Sequence, residues 1–149
     1  LLFVCLGNIC RSPLAEAAFR AAADRAGLAA VADSAATGEW QIGNPPDPRS
    51  QAVALRHGID ISAKRARRVR GADFTGFDYI LALDPQNLFD LHAMAPGRCT
   101  ARIGLLMDHV AGCAGQAVRD PYYGDTADFD AVWEQVTRAA DALVAMLAA

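Results

Sequence analysis

A cysteine and an arginine separated by five residues, Cys5 and Arg11, lie in the segment Cys5-Leu6-Gly7-Asn8-Ile9-Cys10-Arg11-Ser12-Pro13, directly after the apolar run Leu1 to Val4. Such a segment joins a strand end to a helix start, where the backbone N–H groups of Leu6, Gly7, Asn8, Ile9, Cys10, Arg11 and Ser12 can converge on one anion beside the positive helix terminus. Gly7 can adopt a positive φ without penalty, and Asn8 is among the few other residues that tolerate one, so successive amides can curl inward. A thiol in that field ionises more readily than a free cysteine, which makes Cys5 a nucleophile. The planar fork of Arg11 suits two oxygens of a phosphate while charge shifts in a transition state. Ser12 reads both as the helix N-cap, with Pro13 at the first helical position, and as a donor to the thiolate. Phosphate or a similar oxyanion is the implied ligand. A buried cysteine and a surface arginine at chance spacing would leave the Gly-Asn pair and the Ser-Pro pair without a reason. The Gly-Lys-Ser/Thr ending of nucleotide-binding loops and the glycine spacing of dinucleotide folds are both missing, so no nucleotide cofactor is implied. Cys10 is placed to form a reversible bridge with Cys5 after oxidation, with simple packing under the loop as the alternative.

These residues need a scaffold, and the rest of the chain alternates strand and helix signals. The helix after Ser12 should stop at Gly27. A second strand is expected around Ala29 to Ala36, a loop over Gly38 to Pro48, and a helix from Asp47-Pro48 to His57 before Gly58. His57 then reads as a terminus residue. Tyr79 to Leu83 is the clearest internal strand, Asp84-Pro85 opens a helix to about Met94, and Ala101 to Leu105 is a shorter fourth strand. The last helix carries Phe129, Val132, Trp133, Val136, Ala140, Leu143, Val144 and Leu147 on one face, with Asp125 as cap. This order implies a single α/β domain over residues 1–149 with a parallel sheet and helices on both faces, and ligands bind such sheets beyond the carboxyl ends of the strands, where Cys5 falls.

With 149 residues, 53% of them hydrophobic and 21% charged, the chain can bury a core without staples, and no apolar run approaches the ~18 residues of a membrane span. The net charge of −3 argues against nucleic acid as a partner. Lys64, Arg65, Arg67, Arg68 and Arg70 form a basic run, read as a solvated face, with a substrate-steering rim as the alternative. Cys5, Cys10, Cys99 and Cys113 lack the paired spacing of a zinc site, and no secretory leader is visible, so reduced thiols in the cytoplasm are expected.

The Cys5 to Pro13 segment, together with Asp120-Pro121-Tyr122-Tyr123-Gly124-Asp125, resembles low-molecular-weight protein tyrosine phosphatases. The likeness extends over Asp33-Ser34-Ala35-Ala36-Thr37, Gly43-Asn44-Pro45-Pro46 and Tyr79-Ile80-Leu81. It implies a four-stranded parallel sheet in the order 2-1-3-4 and hydrolysis of phosphotyrosine in protein substrates, with no metal or other cofactor; the oligomeric state is not read from the sequence, a monomer being the expectation. It assigns Asp120 as general acid and base, whereas the residues alone allow a plain turn capped by Asp120. By the same resemblance Asn8, Ser12 and Ser34 support the loop, while Ile9, Trp40, Tyr122 and Tyr123 flank a cleft that can sandwich a phenyl ring. Ile9 stands where relatives acting on phosphoarginine carry a smaller polar residue, which favours phosphotyrosine. Some relatives place a histidine of the loop-supporting network at the position read here as Ala63, so the histidine's part is not carried over. Asp84 reads first as a helix cap and second as a support of the site. An arsenate reductase, the runner-up, needs two further thiols within reach of Cys5, and residues 82–90 offer none.

Overall fold

The computed structural model describes residues 1–149. Four short strands, β1 (Leu2–Cys5), β2 (Asp33–Ala36), β3 (Tyr79–Ala82) and β4 (Arg102–Leu105), pair in parallel in the order β2-β1-β3-β4. Five helices connect and cover them: α1 (Arg11–Ala26), α2 (Pro48–Arg56), α3 (Asp73–Gly76), α4 (Pro85–Met94) and α5 (Thr126–Ala148). The central strands are buried on both faces, which is why β1 and β3 read as unbroken apolar runs. Period-two alternation sends Phe3 and Leu81 into one cluster with Leu14 and Phe19 of α1, Val53 of α2 and Leu143 of α5. It sends Val4 and Ile80 to the other face, against Phe74 of α3 and Leu91 of α4.

Local chemistry accounts for most boundaries. Gly27 ends α1 at φ 66°, Asp47 and Asp84 each cap a helix with proline behind them, and Asp125 forms a reciprocal capping box with Asp128. His57 stands at the C-cap of α2 and stacks on Trp133.

Two expectations are corrected. The second strand begins only at Asp33: Ala29 to Ala32 offer alanines and a single β-branched side chain, Val31, which is exposed rather than packed on a pleated surface. α1 begins at Arg11 with Cys10 as an N-cap that makes no side-chain bond, because the Ser12 hydroxyl is turned inward toward sulfur. Of the two loop residues able to take a positive φ, Asn8 does, at 58°, and Gly7 does not.

Candidate active site

Parallel pairing brings Cys5 to the carboxyl end of β1, and the chain then turns through residues 6–10 into α1. The N–H groups of Leu6, Gly7, Ile9 and Cys10 donate to no acceptor elsewhere in the chain. The Asn8 N–H donates to Cys5 Sγ at 3.3 Å, and Ser12 Oγ lies 3.0 Å from the same sulfur. Since Ser12 Oγ accepts from Asn8 Nδ2 at 2.8 Å, its own proton is free to point at sulfur, so Ser12 is the donor toward a thiolate. Free amides, a sulfur that accepts two hydrogen bonds and a helix N-terminus together make a seat for a tetrahedral oxyanion. A Cβ at Gly7 would stand 3.3 Å from Gln41 Cγ on the cleft wall, so that side chain would have to shift slightly to admit one.

Asn8 keeps its left-handed conformation through a fully used amide. Nδ2 donates to Ser12 Oγ and, at 2.9 Å, to Ser34 Oγ, while Oδ1 accepts from the Arg67 N–H at 3.1 Å. Ser34 Oγ passes its own proton to Glu16 Oε1 at 2.7 Å. Behind it, Lys64 Nζ donates to Asp33 Oδ1 at 2.6 Å and to Ser34 O at 3.0 Å, and lies 3.3 Å from Glu16 Oε1. Arg67 completes the clasp with Nε on Asp33 at 3.0 Å and a two-pronged contact to Asp73 at 2.9 and 3.1 Å. The basic run is therefore not one solvated face: Lys64 and Arg67 are largely buried and ion-paired, while Arg65, Arg68 and Arg70 remain exposed. Lys64, next to Ala63, supplies the cation behind Ser34.

Arg11 is buried, with Nη1 donating to Asp84 Oδ2 at 2.6 Å and to Val118 O at 3.0 Å. Burial opposes its charge, but Cys5, Asp84 and Asp120 outweigh that and raise its pKa above the ordinary value. Asp84 fills both roles offered by the sequence, because its other oxygen caps α4 through the Asn87 N–H. Asp120 Oδ2 faces Arg11 Nη2 at 3.7 Å and Oδ1 accepts from the Tyr122 N–H, so the carboxylate projects into the cleft from a turn. Arg49, which local sequence gave no reason to select, fixes that turn: it donates to Tyr122 O at 2.9 Å and to Gly124 O at 3.1 Å while lying over the Phe129 ring at 4.5 Å.

The cleft has a volume of about 280 Å³. Cys5, Cys10 and Arg11 line its base, and Leu6, Gly7, Ile9, Trp40, Gln41, Tyr122 and Tyr123 its walls beside Asp120. Gly38 lets the Trp40 indole fold back over the chain, since a Cβ there would overlap the ring at 2.1 Å. Larger grooves exist behind α1 (about 490 Å³) and near the chain start (about 530 Å³), yet neither gathers a thiol with a cation and an acid, so chemistry rather than size identifies the site. Burial, followed by Asp47, Cys5 and Asp120, pushes the Cys10 thiol up to about 12, although Ser50 opposes the shift. Cys99 and Cys113 lie outside the lining of the cleft.

A thiol in an amide cradle at the end of a parallel sheet, with a fixed guanidinium and a carboxylate facing it, is the framework of a cysteine-dependent phosphatase. The family described as low molecular weight phosphotyrosine protein phosphatase matches residues 1–149, and the chain belongs to it. The low molecular weight protein-tyrosine-phosphatase YfkJ of Bacillus subtilis is 43% identical over 149 residues, covering 99% of this chain and 94% of YfkJ. The solved structure of YfkJ superposes with a TM-score of 0.90, covering 99% of this chain and 92% of that one. The low molecular weight phosphotyrosine protein phosphatase of Homo sapiens is 45% identical over 142 residues, 93% of this chain and 89% of the human one. A solved Drosophila arginine phosphatase gives a TM-score of 0.92 at 31% identity, covering 97% of this chain and 95% of that one. No helix is long and apolar enough to cross a membrane.

Proposed function

We propose that this chain hydrolyses phosphotyrosine in protein substrates through a cysteinyl-phosphate intermediate. The loop amides and the Arg11 fork hold the phosphoryl oxygens, and Cys5 Sγ attacks phosphorus in line with the leaving oxygen. As the P–O bond breaks, the tyrosine oxygen takes a proton from Asp120. Asp120 then removes a proton from water as that water attacks phosphorus, the P–S bond breaks, and phosphate and the Cys5 thiolate are regenerated. Ser12 donates to the thiolate whenever it is the leaving group. Trp40, Tyr122 and Tyr123 receive the phenyl ring, with Ile9 against its edge.

The observation that carries this reading is the convergence of Cys5, Arg11 and Asp120 on one cleft, with a carboxylate 3.7 Å from the guanidinium that would hold phosphate. The Drosophila relative makes phosphoarginine the substrate to compare. Phosphotyrosine is expected to be turned over faster than phosphoarginine or phosphoserine, and Asp120→Asn to lose about 10²-fold on phosphotyrosine but less on an aryl phosphate whose leaving group needs no proton. Faster release from phosphoarginine would reverse the substrate assignment. Equal losses on both esters would remove Asp120 from its role, and full activity in Cys5→Ser would end the mechanism.

A further inference from the structure

Arg68 sits outside the cleft just described, and the backbone sets its position. The Ala36 N–H donates to Arg67 O at 2.7 Å and the Val69 N–H donates to Ala36 O at 2.9 Å, so Arg68 pairs with Ala36 along the free edge of β2. Ala36 is itself paired with Cys5. Two strand spacings of about 4.8 Å therefore put the Arg68 backbone roughly 10 Å from that of Cys5. Arg68 Nε donates to Thr37 O at 3.2 Å, which brings the side chain over the carboxyl edge of the sheet, beside the Gly38 to Gln41 segment that walls the cleft.

The rest of that guanidinium is open. Nη1 stands 3.8 Å from Glu39 Oε2, beyond hydrogen-bond reach, and the two side chains are 48% and 71% exposed. A pair of that kind contributes almost nothing, so a better-placed carboxylate can displace Glu39 and meet the fork with two bonds. Neighbouring cations differ: Lys64 and Arg67 are committed to the clasp, and Arg65 donates to Ser62 O and Lys64 O. Arg70 is exposed and its hydrogen bonds, both with Asp73, run through its backbone, so its side chain adds a second free charge two residues on. Arg68 and Arg70 thus place two uncommitted cations on the Trp40 side of the cleft. An extended peptide advances about 3.3 Å per residue, so a side chain two or three positions from a phosphotyrosine seated over Cys5 falls roughly 7–10 Å away, at the distance of Arg68.

We propose that Arg68, reinforced by Arg70, recognises an acidic residue two or three positions from the phosphotyrosine, so that acidic phosphopeptides crossing the Trp40 wall are the preferred substrates. This rests on the phosphotyrosine reading of the cleft. The test compares kcat/KM for phosphotyrosine peptides that carry Glu, Gln or Lys at those positions, with a small aryl phosphate in parallel. The Glu peptide should exceed the Gln peptide by about two- to fivefold at low salt, the size of an exposed ion pair, and the gap should close near 0.5 M salt. Arg68→Gln should erase the preference, Arg68→Lys should keep most of it, and Arg68→Glu should transfer it to the Lys peptide. Equal rates for all three peptides with the unaltered protein, or an undiminished Glu preference in Arg68→Gln, would overturn this inference alone. Turnover of the small ester with no phosphotyrosine peptide hydrolysed would overturn the phosphotyrosine reading and this inference with it.

Discussion

Replacing Lys64 with methionine removes the cation behind Ser34 while keeping the volume of its stem. The ammonium donates at 2.6 Å to Asp33 and at 3.0 Å to Ser34 O, and stands 3.3 Å from Glu16, on a side chain only 17% exposed. Breaking a buried pair costs about 3–5 kcal/mol when a charge is stranded. Here neither carboxylate is stranded, because Asp33 keeps Arg67 at 3.0 Å and Glu16 keeps Arg20 at 3.1 Å. The loss is closer to one or two charge-assisted hydrogen bonds, roughly 2–3 kcal/mol, which lowers Tm by about 5–10 °C in a domain of this size. Geometry should suffer as well. With Glu16 drawn toward Arg20, Ser34 loses its acceptor, the Asn8 amide loosens, and the cradle that stabilises the transition state spreads. Steady-state assays on phosphotyrosine should then show kcat down about tenfold with KM changed much less, and Lys64→Arg should recover most of both quantities. A lower Tm with unchanged kcat would show that the clasp contributes stability without setting the loop. A Tm shift below 1 °C would refute the energetic reasoning itself.

Two further outcomes follow from the titratable groups. Peroxide should inactivate the protein and dithiothreitol restore it, with a Cys5–Cys10 bridge in the mass spectrum; because the Cys10 thiol is pushed up to about 12, bridging should quicken from pH 7 to 9. Full recovery of Cys10→Ser under the same exposure would leave Cys10 only a packing role. Burial works against the charge of Asp33, but Lys64, the Ser34 N–H and Arg67 outweigh it, while Asp47 is held low first by its hydrogen bonds from Arg49 and only partly opposed by burial. Both carboxyls are depressed in the folded state, so their contribution is complete above the unfolded value of about 3.9 and disappears as pH falls through the folded values. Burial also holds the His109 imidazole below its ordinary value, so a modest fall in the urea midpoint is expected from pH 7 to 5, followed by a larger drop below about pH 4; an unchanged midpoint below pH 4 would contradict this.

The parts of the site that share a local segment were legible in the sequence. Cys5, Asn8, Arg11 and Ser12 lie within eight residues, so strand, turn and helix signals overlap on one ligand. The sheet followed from strand and helix punctuation such as Gly27, Asp84-Pro85 and Asp125. Its strand order came from the family resemblance, because pairing between distant strands leaves no local trace. Long-range partners were harder to read. Lys64 and Arg67 looked like surface charge because their partners Glu16, Asp33 and Asp73 are remote or unremarkable in sequence, and burial decides whether a cation is solvated or paired. Arg49 followed a capping signal that already accounted for Asp47-Pro48, so nothing local marked its grip on the Asp120 turn. Ser12 misled as an N-cap because the same hydroxyl serves equally well as a donor to sulfur.

The cradle around Cys5 draws on residues 8–12, 16, 33–34, 64–73, 84 and 118, so it closes only when most of the chain is present. During synthesis at about 5–20 residues per second, the thiol leaves the ribosome first and waits roughly 5–25 s for Val118 and Asp120 to follow. Early in that interval it lacks the clasp that fixes Asn8 and the Asp84 carboxylate on Arg11, and to its end it lacks Val118 and Asp120. The assembled site is therefore a late product of synthesis, and a nascent chain or severed fragment that stops short of Asp120 lacks it. Titrating active sites against total protein consequently counts completed molecules, which makes turnover a direct measure of the fraction of a preparation that has finished folding.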